Sequence, residues 1–216
     1  MTQLSTAHQH YEDSLDLVHT ALCLLPRNDS ALVRSELLGL ESRVHAHLGN
    51  HSKSARAADA CFETWQEADG QAAPDWLHYM NQVEVHCLVT NTYVELALHT
   101  EGRGQALTYA QRAEQHSLSA QASRAKGYNR SRILDEIRLA KVRLAQHEVA
   151  EAVTVGHAAL GLAASTSSTV VRDWLVRFHR ELASRYPGSG YVMSFSAHLH
   201  EYMRPTVSGQ ERNRGD

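Results

Sequence analysis

The stretches LGNHSKSARAADAC, residues 48–61, and LAQHEVAEAVTVGHAAL, residues 144–160, decide the fold of this chain. Each contains small residues spaced four and then three positions apart, and a segment at residues 106–113 repeats the pattern. Positions with this spacing lie on one face of an α-helix. A large side chain there would hold a neighbouring helix away and open a cavity, so the pattern predicts closely packed helix pairs. The three sets are Ser54, Ala58 and Cys61; Ala106, Ala110 and Ala113; and Ala152, Gly156 and Ala159.

Apolar residues recur at helical spacing along the rest of the chain, and no segment shows the alternation typical of strands. The sequence therefore predicts an all-α fold, a right-handed α-solenoid of about nine antiparallel helices similar to tetratricopeptide (TPR) repeats, with units longer than the ~34 residues of a standard repeat. One helix is expected over residues 76–98, and another over 105–115 with a polar stretch after it. The predicted domain covers residues 1–203, with units at 31–69, 75–116 and 131–164, capping helices at 167–203, and a disordered tail at 204–216.

Composition excludes several classes of protein. The chain of 216 residues is 43% hydrophobic, which is enough for a core, and its net charge of −3 offers no basic surface to nucleic acid. No apolar segment is long enough for a membrane span, and the amino-terminal sequence lacks a signal-peptide pattern, so we expect a cytoplasmic protein. Cys23, Cys61 and Cys87 form no Cys-x-x-Cys pair, so neither a disulfide framework nor a zinc ribbon is predicted.

Two longer segments point to a family. They are PDWLHYMNQVEVHCLVTNTYVELAL, residues 74–98, and SRILDEIRLAKVRLAQHEVAEAVTVGHAALGLAASTSSTVVRDWLVRFHRELA, residues 131–183. With the sequence around them, from Leu22 to Leu199, they resemble the C-terminal TPR regions of bacterial helix-turn-helix transcriptional regulators. The resemblance implies a binding module that serves transcriptional regulation. In that family a helix-turn-helix domain precedes the TPR region, whereas this sequence starts almost directly inside a TPR-like helix. The chain is thus expected to be a stand-alone or truncated relative, or to work with a DNA-binding part on another polypeptide, and not to contact DNA itself.

Sequence motifs give no support to catalysis or to metal binding. The pairs His45/His47 and His198/His200 are two residues apart, so their side chains point in different directions on a helix. The 15 histidines form no His-Glu-x-x-His motif, and the chain contains neither a Gly-x-Ser-x-Gly nucleophile turn nor a glycine-rich phosphate loop. We therefore expect no enzyme activity, no cofactor and no metal site.

Candidate partner-binding residues lie on the helices expected to line the concave face of the solenoid. Aromatic and polar side chains on the first of these helices can hold a peptide, and arginines on the next can bind a carboxylate or phosphate through the planar guanidinium. The candidates are Trp76, Tyr79, Asn81, Glu84, Asn91, Arg130, Arg132 and Arg138. Two alternatives stay open: the two aromatic residues can fix the start of their helix against the preceding one, and the arginines can be solvated surface charges.

Three functions are compatible with the sequence. The first is binding of a protein or peptide partner by a regulatory TPR-type module. The second is a structural homo-oligomerisation module with no ligand, since the apolar positions of residues 11–25 lie at one end of the expected solenoid and favour a homodimer or docking there. The third is small-molecule sensing or a histidine-based enzyme, which the spacing of the histidines does not favour.

Overall fold

The computed structural model describes residues 10–26, 31–68, 74–125 and 127–204. Within these ranges the chain forms nine α-helices and no strand, which confirms the all-α prediction. The helices are α1 (Tyr11–Leu24), α2 (Ala31–His47), α3 (His51–Glu67), α4 (Gln82–His99), α5 (Arg103–Ser123), α6 (Asn129–Ala145), α7 (Val149–Ala163), α8 (Thr169–Arg185) and α9 (Gly190–Met203). No helix among them is long and apolar enough to cross a bilayer. The first nine residues of the predicted domain and its predicted tail from residue 205 onward lie outside the described residues.

Successive helices pack as hairpins. The most extensive contacts join α2 to α3, α4 to α5, and α6 to α7, while α8 and α9 close the series. The first helices of the hairpins also contact one another in chain order, α2 with α4, α4 with α6, and α6 with α8. We call these four helices the first-helix row. Helix α1 lies at one end of the row and packs mainly on α2.

Two hairpin turns use the same backbone motif. At the end of α2, the Asn50 amide donates to the His45 carbonyl at 2.9 Å and Gly49 has φ 73°. At the end of α6, the Glu148 amide donates to the Arg143 carbonyl at 2.9 Å, and the left-handed position with φ 65° is occupied by His147. These bonds satisfy carbonyls that a helix end leaves free, and glycine is the residue that the left-handed position favours.

The small residues of the repeat are buried where helices meet. Ser54, Ala58 and Cys61 have no exposed surface. Neighbouring side chains come closest to the helix backbone at Gly156, because an added Cβ would lie 2.8 Å from Phe178 Cε1 and 2.9 Å from Phe195 Cε2. These two rings belong to α8 and α9, so this position allows the next hairpin to approach, which the sequence pattern alone did not show.

Two predicted helix boundaries are wrong. The expected helix over residues 76–98 begins only at Gln82, because Asn81 is extended and its side-chain oxygen accepts the amides of Val83 at 3.0 Å and Glu84 at 3.2 Å. A 3₁₀ turn at Asp75–Leu77 precedes it. The helix expected to end near residue 115 continues to Ser123, since Ser117 and Ala120 are buried and no breaker interrupts the segment.

Candidate binding site

A cavity of about 720 Å³ opens where the start of α4, the end of α5 and the first half of α6 meet. We call it the main cavity. Five of the eight predicted binding residues line it, although they come from separate segments of the sequence. These five are Tyr79, Asn81, Glu84, Arg130 and Arg138. The structure therefore brings together most of the candidates from both of the expected helices.

A buried ion network forms one wall of the main cavity. Asp135 accepts hydrogen bonds from Arg124, with Nη2 at 3.0 Å, and from Arg138, with Nη1 at 2.7 Å. Arg138 also donates to Asn91 at 3.2 Å and lies 5.0 Å from the ring centroid of Trp174. Because Arg138 is already bonded to Asn91 and contacts Trp174, these contacts join α4, α6 and α8, and the role of Arg138 and Asn91 is structural.

A smaller cavity of about 90 Å³ lies along the first-helix row, and two residues that line it, Asn91 and Trp174, also contact Arg138. We call it the arginine pocket. All four helices of the row contribute to it, three of them with two residues each at helical spacing. Its lining is Arg43 and His47 from α2, Asn91 and Glu95 from α4, Lys141 from α6, and Trp174 and Arg177 from α8.

The arginine pocket carries excess positive charge. Among the described residues that line it, Glu95 is the one carboxylate, and it is bound to the Lys141 ammonium at 2.6 Å. Burial by itself would raise the pKa of Glu95, but Lys141 and nearby histidines lower it to about 2, so this carboxylate stays ionised at neutral pH. Among the described residues, Arg43 and Arg177 make no hydrogen bond or ion pair. The pocket thus holds two guanidiniums without a partner among the described residues, Arg43 half-buried and Arg177 exposed to solvent.

Arg43 experiences this excess most strongly. Burial lowers the pKa of its guanidinium, and the charges of Arg138 and Arg177 lower it further. Glu95 and Glu36 raise this pKa, but it stays below its usual value. Burial also lowers the pKa of His47, whose ring stacks on Tyr11 of α1 at 4.7 Å between centroids. An anion bound beside Arg43 would reverse the unfavourable environment of the guanidinium, so the site is suited to a carboxylate or a phosphate.

The remaining predicted residues lie elsewhere. Trp76 is 62% exposed and lines neither cavity, while the residues that hold its segment against the core are Leu77 and Met80. Arg132 lines a separate cavity of about 400 Å³ beside Asp135. Asn81 serves as the helix cap, and Tyr79 donates a hydrogen bond to Glu36 at 3.1 Å.

The sequence prediction missed the two free guanidiniums and their neighbours. A signal was present, because Arg43 and His47 are four residues apart on α2, and Trp174 and Arg177 are three apart on α8. Such pairs mark one polar face of a helix. They do not show which helices oppose each other, and therefore could not identify a pocket.

No family model, no curated protein and no solved structure matches this chain. The resemblance to regulator TPR regions therefore depends on the quoted residues alone.

Proposed function

We propose that the chain is a right-handed TPR-type α-solenoid that binds a protein or peptide partner along the first-helix row, and that the arginine pocket holds an acidic group of that partner. The ordered contacts of α2, α4, α6 and α8 support this architecture, because repeat hairpins stack so that each contacts its neighbours. The main cavity, at about 720 Å³, offers room for the residues next to the acidic group.

The unpaired guanidiniums of Arg43 and Arg177 beside Trp174 are the observation that carries the proposal. A carboxylate between two guanidiniums gains charge-assisted hydrogen bonds, which are about twice as strong as neutral ones. The indole offers an apolar surface to the aliphatic part of the same residue. A paired surface arginine would give no such preference, since it would have to lose one partner to gain another.

The regulatory role is part of the proposal and is supported by the resemblance to helix-turn-helix regulators. Binding of an acidic segment is a recognition event and needs no reacting group, so we propose a non-enzymatic module that acts through its partner. A small anion in the arginine pocket would be the ligand if the module senses a small molecule instead.

Selection from peptide libraries with free and with amidated carboxyl termini would test the proposal, followed by affinity measurement by fluorescence polarisation. We expect the selected peptides to carry a carboxylate, and Arg177→Gln to weaken binding at least tenfold, because a hydrogen bond to a charged group contributes about 1.5–3 kcal/mol. Arg180→Gln is the matched control, since it makes the same charge change on the same helix at an exposed position outside the pocket. Failure to select any peptide, or equal affinity for both variants and the wild type, would refute it.

Homo-oligomerisation is the second candidate, because α1 exposes apolar side chains. Leu24 is 77% exposed and Leu17, two helical turns away, is 41% exposed. Light scattering over a range of concentrations would detect a dimer, and Leu24→Gln should dissociate it. A tight dimer without peptide binding would favour this function over the first.

A further inference from the structure

Three potential metal ligands converge between α1 and α2. His19 lies on α1, and Glu41 and His45 lie one turn apart on α2. The His19 Nε2 atom is 3.2 Å from Glu41 Oε1, and the His45 Nε2 atom is 3.6 Å from the same oxygen. One ligand atom from each of the three residues lies within 4.8 Å of the others. We call this set the His19 cluster.

These distances fit ligands around one small cation, although 3.2 Å is also the length of a hydrogen bond between His19 and Glu41. Nitrogen and carboxylate ligands bind Zn²⁺ at about 2.0–2.1 Å in tetrahedral geometry, which places neighbouring ligand atoms about 3.3 Å apart. The two separations of 3.2 and 3.6 Å lie on either side of that value. Two imidazoles and one carboxylate are also a ligand set that zinc uses in proteins.

Burial of the cluster is graded from one side to the other. His45 is 2% exposed, and its Nδ1 atom has no hydrogen-bond partner among the described residues. The Glu41 side chain is partly buried, and the His19 side chain is 49% exposed. Because one ligand is exposed, we expect solvent to reach a bound ion from that side and water to complete a tetrahedron.

The set was not visible in the sequence. The closely spaced histidine pairs in the sequence are two residues apart and belong to single helices. The His19 cluster instead combines a Glu–His pair four residues apart with a histidine from another helix. His47, two residues after His45, lines the arginine pocket instead.

We propose that His19, Glu41 and His45 bind one divalent transition-metal ion of the zinc class, which fixes α1 to α2. Helix α1 makes its main contacts with α2, so an ion shared by the two would hold the end of the first-helix row together. Oxygen-preferring cations such as Mg²⁺ are disfavoured because two of the three ligands are imidazoles.

Titration of the chelator-treated full chain with ZnCl₂ in a calorimeter would test the site, and CoCl₂ would report its geometry through the visible bands of tetrahedral Co²⁺. We expect one equivalent to bind with micromolar or tighter affinity, and hydrogen exchange to slow in α1 on binding. His19→Gln should weaken binding at least tenfold, and because its side chain is exposed, the variant should fold normally. Glu41→Gln, which removes the carboxylate shared by both histidines, should weaken it further.

The control is His200→Gln, which removes an exposed histidine remote in sequence from the cluster, in a chain of 15 histidines that could bind zinc loosely. It should leave the tight equivalent unchanged. Absence of a stoichiometric equivalent in the wild type would overturn the proposal and identify the His19 cluster as a hydrogen-bonded contact. Equal affinity of wild type, His19→Gln and Glu41→Gln would overturn it as well, because the ion would then lie elsewhere.

Discussion

Replacing Gly156 by alanine tests whether the small residues of the repeat set the distance between hairpins. The added Cβ would lie 2.8 Å from Phe178 and 2.9 Å from Phe195, and both rings are fully buried and packed edge-to-face at 5.1 Å. Neither ring can turn away without disturbing the other, so the strain should be about 1–3 kcal/mol. Alanine also gains about 0.5–1 kcal/mol over glycine inside a helix. The net effect should be a loss of roughly 0–2.5 kcal/mol of the free energy of unfolding, with a central value of about 1 kcal/mol.

Gly161→Ala is the matched control, because it lies in the same helix and an added Cβ there meets no atom of the described residues within 4 Å. It should stabilise the protein by about 0.5 kcal/mol through helix propensity alone. Urea denaturation followed by circular dichroism, with calorimetric melting as a second measurement, gives both values. A Gly156→Ala variant as stable as Gly161→Ala would show that the Phe178 and Phe195 rings move aside without a cost in free energy, which would refute the claim that Gly156 sets the distance between the hairpins.

Three further predictions concern His116, Asp135 and His147. Burial and the neighbouring His86 ring lower the pKa of His116 to about 4, so the folded state favours the neutral ring. About 1–2 kcal/mol of stability should therefore be lost as pH falls from 7.5 to 5.0, and urea denaturation of His116→Gln should show a smaller pH dependence. Asp135→Asn should lower the unfolding free energy by about 3–5 kcal/mol, measured the same way, because it removes the carboxylate that both arginines of the network share; a loss below 1 kcal/mol would contradict this. His147→Gly should raise the melting temperature, with a gain of about 0.5–1 kcal/mol, because the residue has φ 65°, and Gly49→Ala should have the opposite effect at the equivalent turn.

The helices could be predicted because their signals are local. The four-and-three spacing of Ala152, Gly156 and Ala159 needs only one helix to be recognised, and all three residues are buried. The start of α4 also has a local cause, since Asn81 followed three residues later by Glu84 is a helix-capping pattern. Local signals therefore determine the helices and contain the information for this boundary too.

The two sites could be predicted only in part, because they depend on which helices oppose each other. Tyr79 and Arg130 were chosen for their chemistry and do line one cavity. Arg43 and Arg177 meet across the first-helix row, and no spacing in the sequence relates them. Polar faces can be read from periodicity, but the lateral register of packed helices is a property of the whole core.

Helix α2 connects the two proposed sites, because residues two apart on a helix point in different directions. Its His45 side chain belongs to the His19 cluster and its His47 side chain to the arginine pocket. The Tyr11 ring of α1 stacks on His47 at 4.7 Å, so α1 contacts residues of both sites. An ion that fixes α1 on α2 would also restrain His47 at the edge of the arginine pocket. Since coupling between two binding equilibria is reciprocal, any factor by which the ion changes affinity for an acidic partner must equal the factor by which that partner changes affinity for the ion.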